Sequence, residues 1–316
     1  MNPNRIPFPA SLQELRTLLD AQEFATSREA EDFLARQVEA ANHAPRPQFL
    51  GLSPRQMGEL LRGRAEGVPG LIEIDFEVAS EFSGSTPLRE MAVWLLEWLN
   101  RADITLSATS YLPPLVARFW WEEVLRRLDF WGEEYELAVK TEADAPLLLI
   151  VRHILAALGF TKTRSSRLTV TKKGKEFLRM RVKDQYRGLY CALARAMDWK
   201  ALNLEHVAQP HSLLQESWFF SLYLLKQFEE EGVAPRQAAE LWLKAFPLVL
   251  EAYKEPNQET ARQDLREELE KMVAFYCFEF MPRLLGLIDW QKPRESLEPK
   301  RVKMSKLGQA LHHWSL

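Results

Sequence analysis

Residues 157–178 read ALGFTKTRSSRLTVTKKGKEFL and follow the apolar run PLLLIVRHILA at 146–156. The run predicts a helix that stops at Gly159, because a left-handed residue commonly ends a helix and glycine adopts that conformation without strain. Beyond it, TKTR and RLTV predict two short strands around a basic turn. Alternation places Leu168 and Val170 on the core face, and Thr171 is placed to cap a new helix. Helix, strand, turn, strand is the back half of a winged helix. An echo stands at 284–311, LLGLIDWQKPRESLEPKRVKMSKLGQAL. Aligned on glycines, Leu158-Gly159-Phe160 matches Leu285-Gly286-Leu287. The run 167–172 matches 301–306, and Gly174 matches Gly308. Thr171 and Ser305 both stand where a helix cap is needed, so the chain is expected to hold a duplicated unit whose second copy has an enlarged turn at 291–300.

Working outward, Thr86-Pro87 gives a cap followed by proline at the first helical position. The helix it opens carries Leu88, Met91, Ala92, Leu95, Leu96 and Leu99 as a wide apolar stripe. Ile104-Thr105-Leu106-Ser107 alternates as a short strand, and Pro113-Pro114 opens another helix. The resulting order (helix, strand, helix, helix, strand, turn, strand) is that of a winged helix-turn-helix. It departs from that pattern at 130–145, which is far longer than the ~3–4 residues of a helix-turn-helix turn. Toward the N-terminus, helices are predicted at 12–19 (Ser11 as cap), from about residue 27, and from Ser53-Pro54. The alternating LIEIDFEV at 71–78 predicts a strand. Downstream, 185–199, 212–231, 235–253 and 259–281 are helical in period, with Pro247 expected to end or kink its helix. The expected fold is mainly α: a helical N-terminal segment at 1–85, a first winged-helix-like unit at 86–183, and a helical second unit at 184–316 ending in a wing-like hairpin.

The run Leu168-Thr169-Val170-Thr171-Lys172-Lys173-Gly174 resembles the segment that closes the wing in bacterial winged-helix proteins. Separately, residues 49–57, FLGLSPRQM, are similar to a segment of uncharacterised bacterial helical proteins, some of which carry a Cys-rich tail. No cysteine cluster follows Cys277 in this chain. The resemblance implies architecture; that family brings no assigned activity.

Composition narrows the function classes. The 316 residues carry a formal net charge of −3, so any nucleic-acid binding must come from a local patch. Cys191 and Cys277 have no CxxC spacing, which suits a reducing compartment. No apolar run approaches the ~18 residues of a bilayer span. The first residues lack the layout of a secretion signal. A cytoplasmic protein without membrane contact is expected.

The local patch is present. Between Lys162 and Arg187 stand ten basic residues against Glu176 and Asp184. Lys162, Arg164, Arg167, Lys172, Lys173 and Lys175 are the candidate phosphate contacts, since such cations release counterions on binding. Base reading is not expected. The helix before the first wing is almost wholly apolar, and that before the second is rich in Glu and Asp, whereas groove readers need polar side chains. Lys292, Arg294, Lys300, Arg301, Lys303 and Lys306 make the second wing basic as well.

No metal or cofactor is expected. His206 and His211 are off one helical face, His312-His313 has no apparent partner, and His153 reads as a core or boundary residue. Glu73, Asp75 and Glu77 would line one strand face, where an exposed face explains them more simply than a cation. No catalytic residue is nominated, since phosphate-loop, dinucleotide, nucleophile-elbow and zinc-protease motifs are all missing. The aromatic clusters Trp120-Trp121, Phe130-Trp131 and Trp218-Phe219-Phe220 suit a core, with some rings left for a dimer seam. The sequence therefore points to a non-enzymatic interaction protein that uses its winged-helix-like units structurally or to bind protein, itself included. The alternative is a nucleic-acid-associated protein acting through the basic wing.

Overall fold

Ser53 shows how locally the chain specifies its helices. Its Oγ accepts from the Gln56 N–H (3.2 Å) while the Gln56 side-chain oxygen accepts from the Ser53 N–H (2.8 Å), a reciprocal cap. The computed structural model describes residues 16–17, 19–82, 86–125, 139–196, 199, 211–252, 259–291 and 300–315. These form two compact units, Met1–Arg62 and Gly63–Leu316. The first holds α1 (Ser27–His43) and α2 (Pro54–Arg62). Helix α1 is entered from Thr26, whose Oγ1 accepts from the Glu29 N–H. The helix expected at 12–19, with its Ser11 cap, lies mostly outside the described residues.

The second unit begins with β1 (Gly67–Val68) and β2 (Ile72–Ile74). The strand expected through residue 78 stops at Ile74. There the Asp75 carboxylate accepts from the Glu77 N–H (2.9 Å) and turns the chain into a tight helical turn, Phe76–Ser80. Glu77 then pairs with Lys183, so Glu73, Asp75 and Glu77 do not share a strand face. The partner of β2 is β8 (His312–Trp314), in the register Ile72↔Trp314, Ile74↔His312. Residues 67–80 thus belong with the C-terminal end of the chain.

The winged order follows. Helix α3 (Pro87–Arg101) buries the six-residue stripe read from its sequence. After it come β3 (Ile104–Thr105), α4 (Pro114–Trp120), α5 (Pro146–Ala157), β4 (Thr161–Arg164) and β5 (Arg167–Val170). Strand β3 pairs with β5, giving the sheet order β3-β5-β4. This winged-helix-like unit leads into α6 (Lys172–Arg179) and α7 (Val182–Cys191).

The second copy runs α8 (His211–Glu216), α9 (Trp218–Gln227), α10 (Pro235–Ala245), α11 (Leu248–Ala252) and α12 (Glu259–Val273). It continues through a wider π-type stretch, Ala274–Phe280, to α13 (Met281–Leu284), β6 (Ile288–Gln291), β7 (Arg301–Met304) and α14 (Lys306–Leu311). Pro247 separates α10 from α11, as expected of a residue that cannot donate. The counterpart of β3 is a single residue. Val233 exchanges both backbone hydrogen bonds with Val302 at 2.9 Å, in the place where Ile104 pairs with Leu168. The duplication therefore extends through the whole sheet.

Its joints are identical in construction. Gly159 and Gly286 both have φ of 70°. Phe160 N–H donates to Leu155 O and Gly159 N–H to Ala156 O; Leu287 N–H donates to Pro282 O and Gly286 N–H to Arg283 O. Each pair is a Schellman ending. Thr171 Oγ1 then accepts from Gly174 N–H (3.1 Å) and donates to Gly159 O (2.6 Å). Ser305 Oγ likewise accepts from Gly308 N–H (3.0 Å) and donates to Gly286 O (2.6 Å). One hydroxyl closes the wing and caps the next helix in both copies.

His312 corrects its sequence reading. Alternation along β8 sends it inward and His313 outward. Its Nδ1–H donates to Gly308 O (2.8 Å), which leaves Nε2 to accept from the Tyr190 hydroxyl (3.0 Å). Tyr190 in turn accepts from Trp218 Nε1–H (3.2 Å). The chain of bonds ties α7, α9 and α14 together and keeps the imidazole neutral.

Two predictions follow from these contacts. A Cβ on Gly174 or Gly308 would come within 3 Å of the Phe160 or Leu287 carbonyl oxygen, whereas one on Gly188 meets nothing within 4 Å. Gly174→Ala and Gly308→Ala should each cost about 1–3 kcal/mol in urea unfolding. Gly188→Ala should be neutral or stabilising by up to ~1 kcal/mol. The second concerns acid. Burial pushes His312 from 6.5 down to about 4. The unfolded chain therefore takes up a proton first, and stability present above pH 6.5 should be lost as the pH falls toward 4. The loss is of order 3 kcal/mol, and His312→Gln should flatten that slope.

Candidate functional site

The first wing is a hairpin whose two faces differ completely in chemistry. Its register pairs Lys162 with Thr169, Thr163 with Leu168 and Arg164 with Arg167. Because side chains alternate, Lys162, Arg164, Arg167 and Thr169 share one face, opposite buried Leu168. The two residues of the turn, Ser165 and Ser166, have φ of 48° and 59°. A two-residue type I′ turn requires these values and usually obtains them from Asn-Gly. Both serines are exposed. The turn is held to the body by Leu106 N–H donating to Ser166 O (2.7 Å).

Two features of this face run against stability. Arg164 lies directly across from Arg167, a like-charge pair that destabilises a hairpin. Neither arginine, nor Lys162, makes an ion pair with a described acidic residue. The remainder of the basic run divides. Lys175 and Arg179 are exposed on α6 and also lack a described acidic partner. Lys172 lies 3.9 Å from Glu176, both being exposed. Lys173 turns back to donate to Leu158 O (2.9 Å) and lies over the Phe160 ring, so its charge serves the joint. Arg181 pairs with Asp184, Lys183 with Glu77 and Arg187 with Glu66. The ten-residue run is therefore not one continuous open face, and its unpaired part centres on the hairpin.

The second wing provides an internal comparison. Its register pairs Asp289 with Lys303 and Gln291 with Arg301. The positions of Lys162, Arg164, Arg167 and Thr169 are thus held by Asp289, Gln291, Arg301 and Lys303. A carboxylate faces a lysine where the first copy has lysine facing threonine. Arg301 also donates to the carbonyls of Glu231 and Gly232 (3.3 and 3.4 Å), and the Arg283 guanidinium lies over the Trp290 ring. This wing is partly neutralised and bound to its own body. Its expected contacts Lys292 and Arg294 lie outside the described residues.

The helices preceding the wings do not offer a base-reading surface. In α5, Leu147, Leu148, Ile150, Val151, Ile154 and Leu155 are buried, and His153, Ala156 and Ala157 are exposed. Arg152 is committed inward. Glu142 Oε2 accepts from Leu112 N–H (2.6 Å) and forms an ion pair with Arg152 Nη1 (3.1 Å), while Arg152 donates to Ser110 O (3.0 Å). Burial pushes the Glu142 carboxyl up, opposed by the Leu112 hydrogen bond and the Arg152 charge. Sequence reading missed this pair, although an arginine within an apolar helix already called for an acidic partner. In α12, Asp264, Arg266, Glu267, Glu268 and Lys271 are exposed, a surface with more acid than base.

One apolar cluster reaches the surface of the first winged unit. Trp94, Trp98 and Phe119 pack with ring centroids 5.1–5.9 Å apart. Phe119 is 41% and neighbouring Leu115 73% exposed. By contrast Trp120, Trp218, Phe219 and Phe220 are buried, as expected of core aromatics. Among the described residues no three His, Cys, Asp or Glu side chains converge on a metal site. Among them, too, no helix is long and apolar enough to cross a membrane. Compared with known proteins, the chain matches no family model, no curated protein and no solved structure.

The charge arrangement is directly testable. Arg164→Thr removes the cross-strand repulsion, so the melting temperature should rise at low ionic strength. That gain should vanish near 1 M salt, where the charges are screened over ~3 Å.

Proposed function

We propose that the chain is a non-enzymatic interaction protein in which the two winged-helix-like units form a scaffold and the first wing faces the partner. The observation that supports this reading is the asymmetry of the duplicated wings. The second wing sets Asp289 against Lys303 and bonds Arg301 to its own backbone. The first holds Lys162, Arg164 and Arg167 on one face without an acidic partner among the described residues. These charged side chains have no acidic partner among the described residues and, at Arg164 and Arg167, oppose the hairpin, a cost that a partner can offset. The cluster of half-buried Trp94 and Trp98 with exposed Phe119 and Leu115 supports a second reading, self-association of the chain through this unit.

Stability separates a partner-facing wing from a structural one. Lys162→Glu, Arg164→Glu and Arg167→Glu, singly or together, should leave the melting temperature within about 2 °C of the parent, because surface changes of this kind are usually within ±0.5 kcal/mol. Arg301→Glu should lower it measurably. A collapse of the fold on reversing the first wing would sink the proposal. For the second reading, light scattering should show a dimer that Trp98→Ser with Leu115→Ser returns to monomer.

A further inference from the structure

We infer that the partner of the first wing is the phosphodiester backbone of nucleic acid, held without reading of the bases. This rests on the reading of that wing as the partner-facing surface. Three cations, Lys162, Arg164 and Arg167, occupy one hairpin face, and the two arginines stand directly opposite each other. A guanidinium pair so placed is relieved by an anion between them, and guanidinium is the group best matched to phosphate oxygens. The turn adds the exposed hydroxyls of Ser165 and Ser166, donors of the kind that commonly contact phosphate. Thr105 and Thr169 complete the three-stranded surface beside Arg167 and Lys162, so the paired strand residues of that face are cations and hydroxyls, with exposed Asp103 just before β3 at its margin. An acidic protein surface would meet the charge equally well, but it would make less use of two facing guanidiniums with hydroxyls at the turn and on the strands beside them.

Absence of base reading follows from α5. Its inner side is committed to the core, Arg152 is held by Glu142 and Ser110, and its exposed positions are His153, Ala156 and Ala157. Apart from His153, that surface lacks the polar side chains that distinguish base pairs in a groove. The second wing is not expected to contribute, since Asp289 sits at the position of Lys162 and Arg301 is bonded to Glu231 and Gly232.

The test is fluorescence anisotropy of labelled duplex DNA, duplex RNA and single-stranded DNA, each in two unrelated sequences. The full chain is titrated from 25 to 200 mM salt. Binding should weaken with salt along a log–log slope of about 2–3 for three duplex phosphate contacts, and the two sequences should agree within about twofold. The three arms identify which backbone is held. Arg164→Gln with Arg167→Gln should reduce affinity at least tenfold, whereas Asp289→Asn and Lys303→Gln in the second wing should leave it unchanged. Absence of binding at 25 mM salt by a folded protein would overturn the inference and leave the interaction-protein reading with a protein partner. Binding that survives loss of both arginines, or that differs more than tenfold between the sequences, would overturn it as well. Unfolding of the wing variants would instead count against the underlying reading, a failure that circular dichroism distinguishes.

Discussion

The hydroxyl of Thr171, repeated as that of Ser305, is the contact on which the two winged-helix-like units depend. It accepts from a glycine N–H in the helix ahead and donates to a glycine carbonyl behind. A single oxygen thereby satisfies an orphan donor at a helix start and fixes the angle at which the wing leaves the preceding helix. The arrangement constrains its neighbours severely. The residue behind must be left-handed, and the residue three positions ahead must lack a side chain to approach the backbone beneath it. Glycine, hydroxyl and glycine are therefore set by geometry, while the strands between them remain open to change. This is why two copies with few identical residues retain the same joint.

That freedom explains how the copies diverged. Residues facing the core kept their character: Leu168 corresponds to Val302 and Val170 to Met304. Residues on the opposite face did not, and a cationic surface in one copy corresponds to a mixed, internally bonded one in the other. Fold and surface chemistry are separated by the alternation of the strand itself, because one face of a two-stranded ribbon can be rewritten without disturbing the other. The interaction surface inferred for this protein is the face that packing leaves unconstrained.

Much of this was legible in the sequence, for local reasons. Caps, prolines at helix starts, terminal glycines and the α3 stripe act within a few residues, and α3, α5 and both hairpins were anticipated. What escaped depends on distant partners. LIEIDFEV alternates as a strand should, yet Asp75 takes the backbone into a turn that no period reveals. Val233 is one valine among many until Val302 lies beside it. His312 looked partnerless because Tyr190 is more than a hundred residues away. At the wing, composition showed the cations but not their division. Lys173, Arg181, Lys183 and Arg187 are engaged by the protein itself, and only the register shows that Lys162, Arg164 and Arg167 stand together.

The pairing of β2 with β8 has a consequence for how the molecule is made. Ile72–Ile74 must wait for His312–Trp314, roughly 240 residues later in the chain. At ribosomal rates of ~5–20 residues per second, that interval is tens of seconds. Throughout it, β2 has only the two-residue β1 beside it, and its other edge is an open template for strangers. The paired winged units can assemble during elongation, but the sheet that pairs β2 with β8 cannot close until residues 312–314 have been made. Protection of the β2 edge on the nascent chain would thus bear on the yield of correctly closed protein more than any contact within the wings.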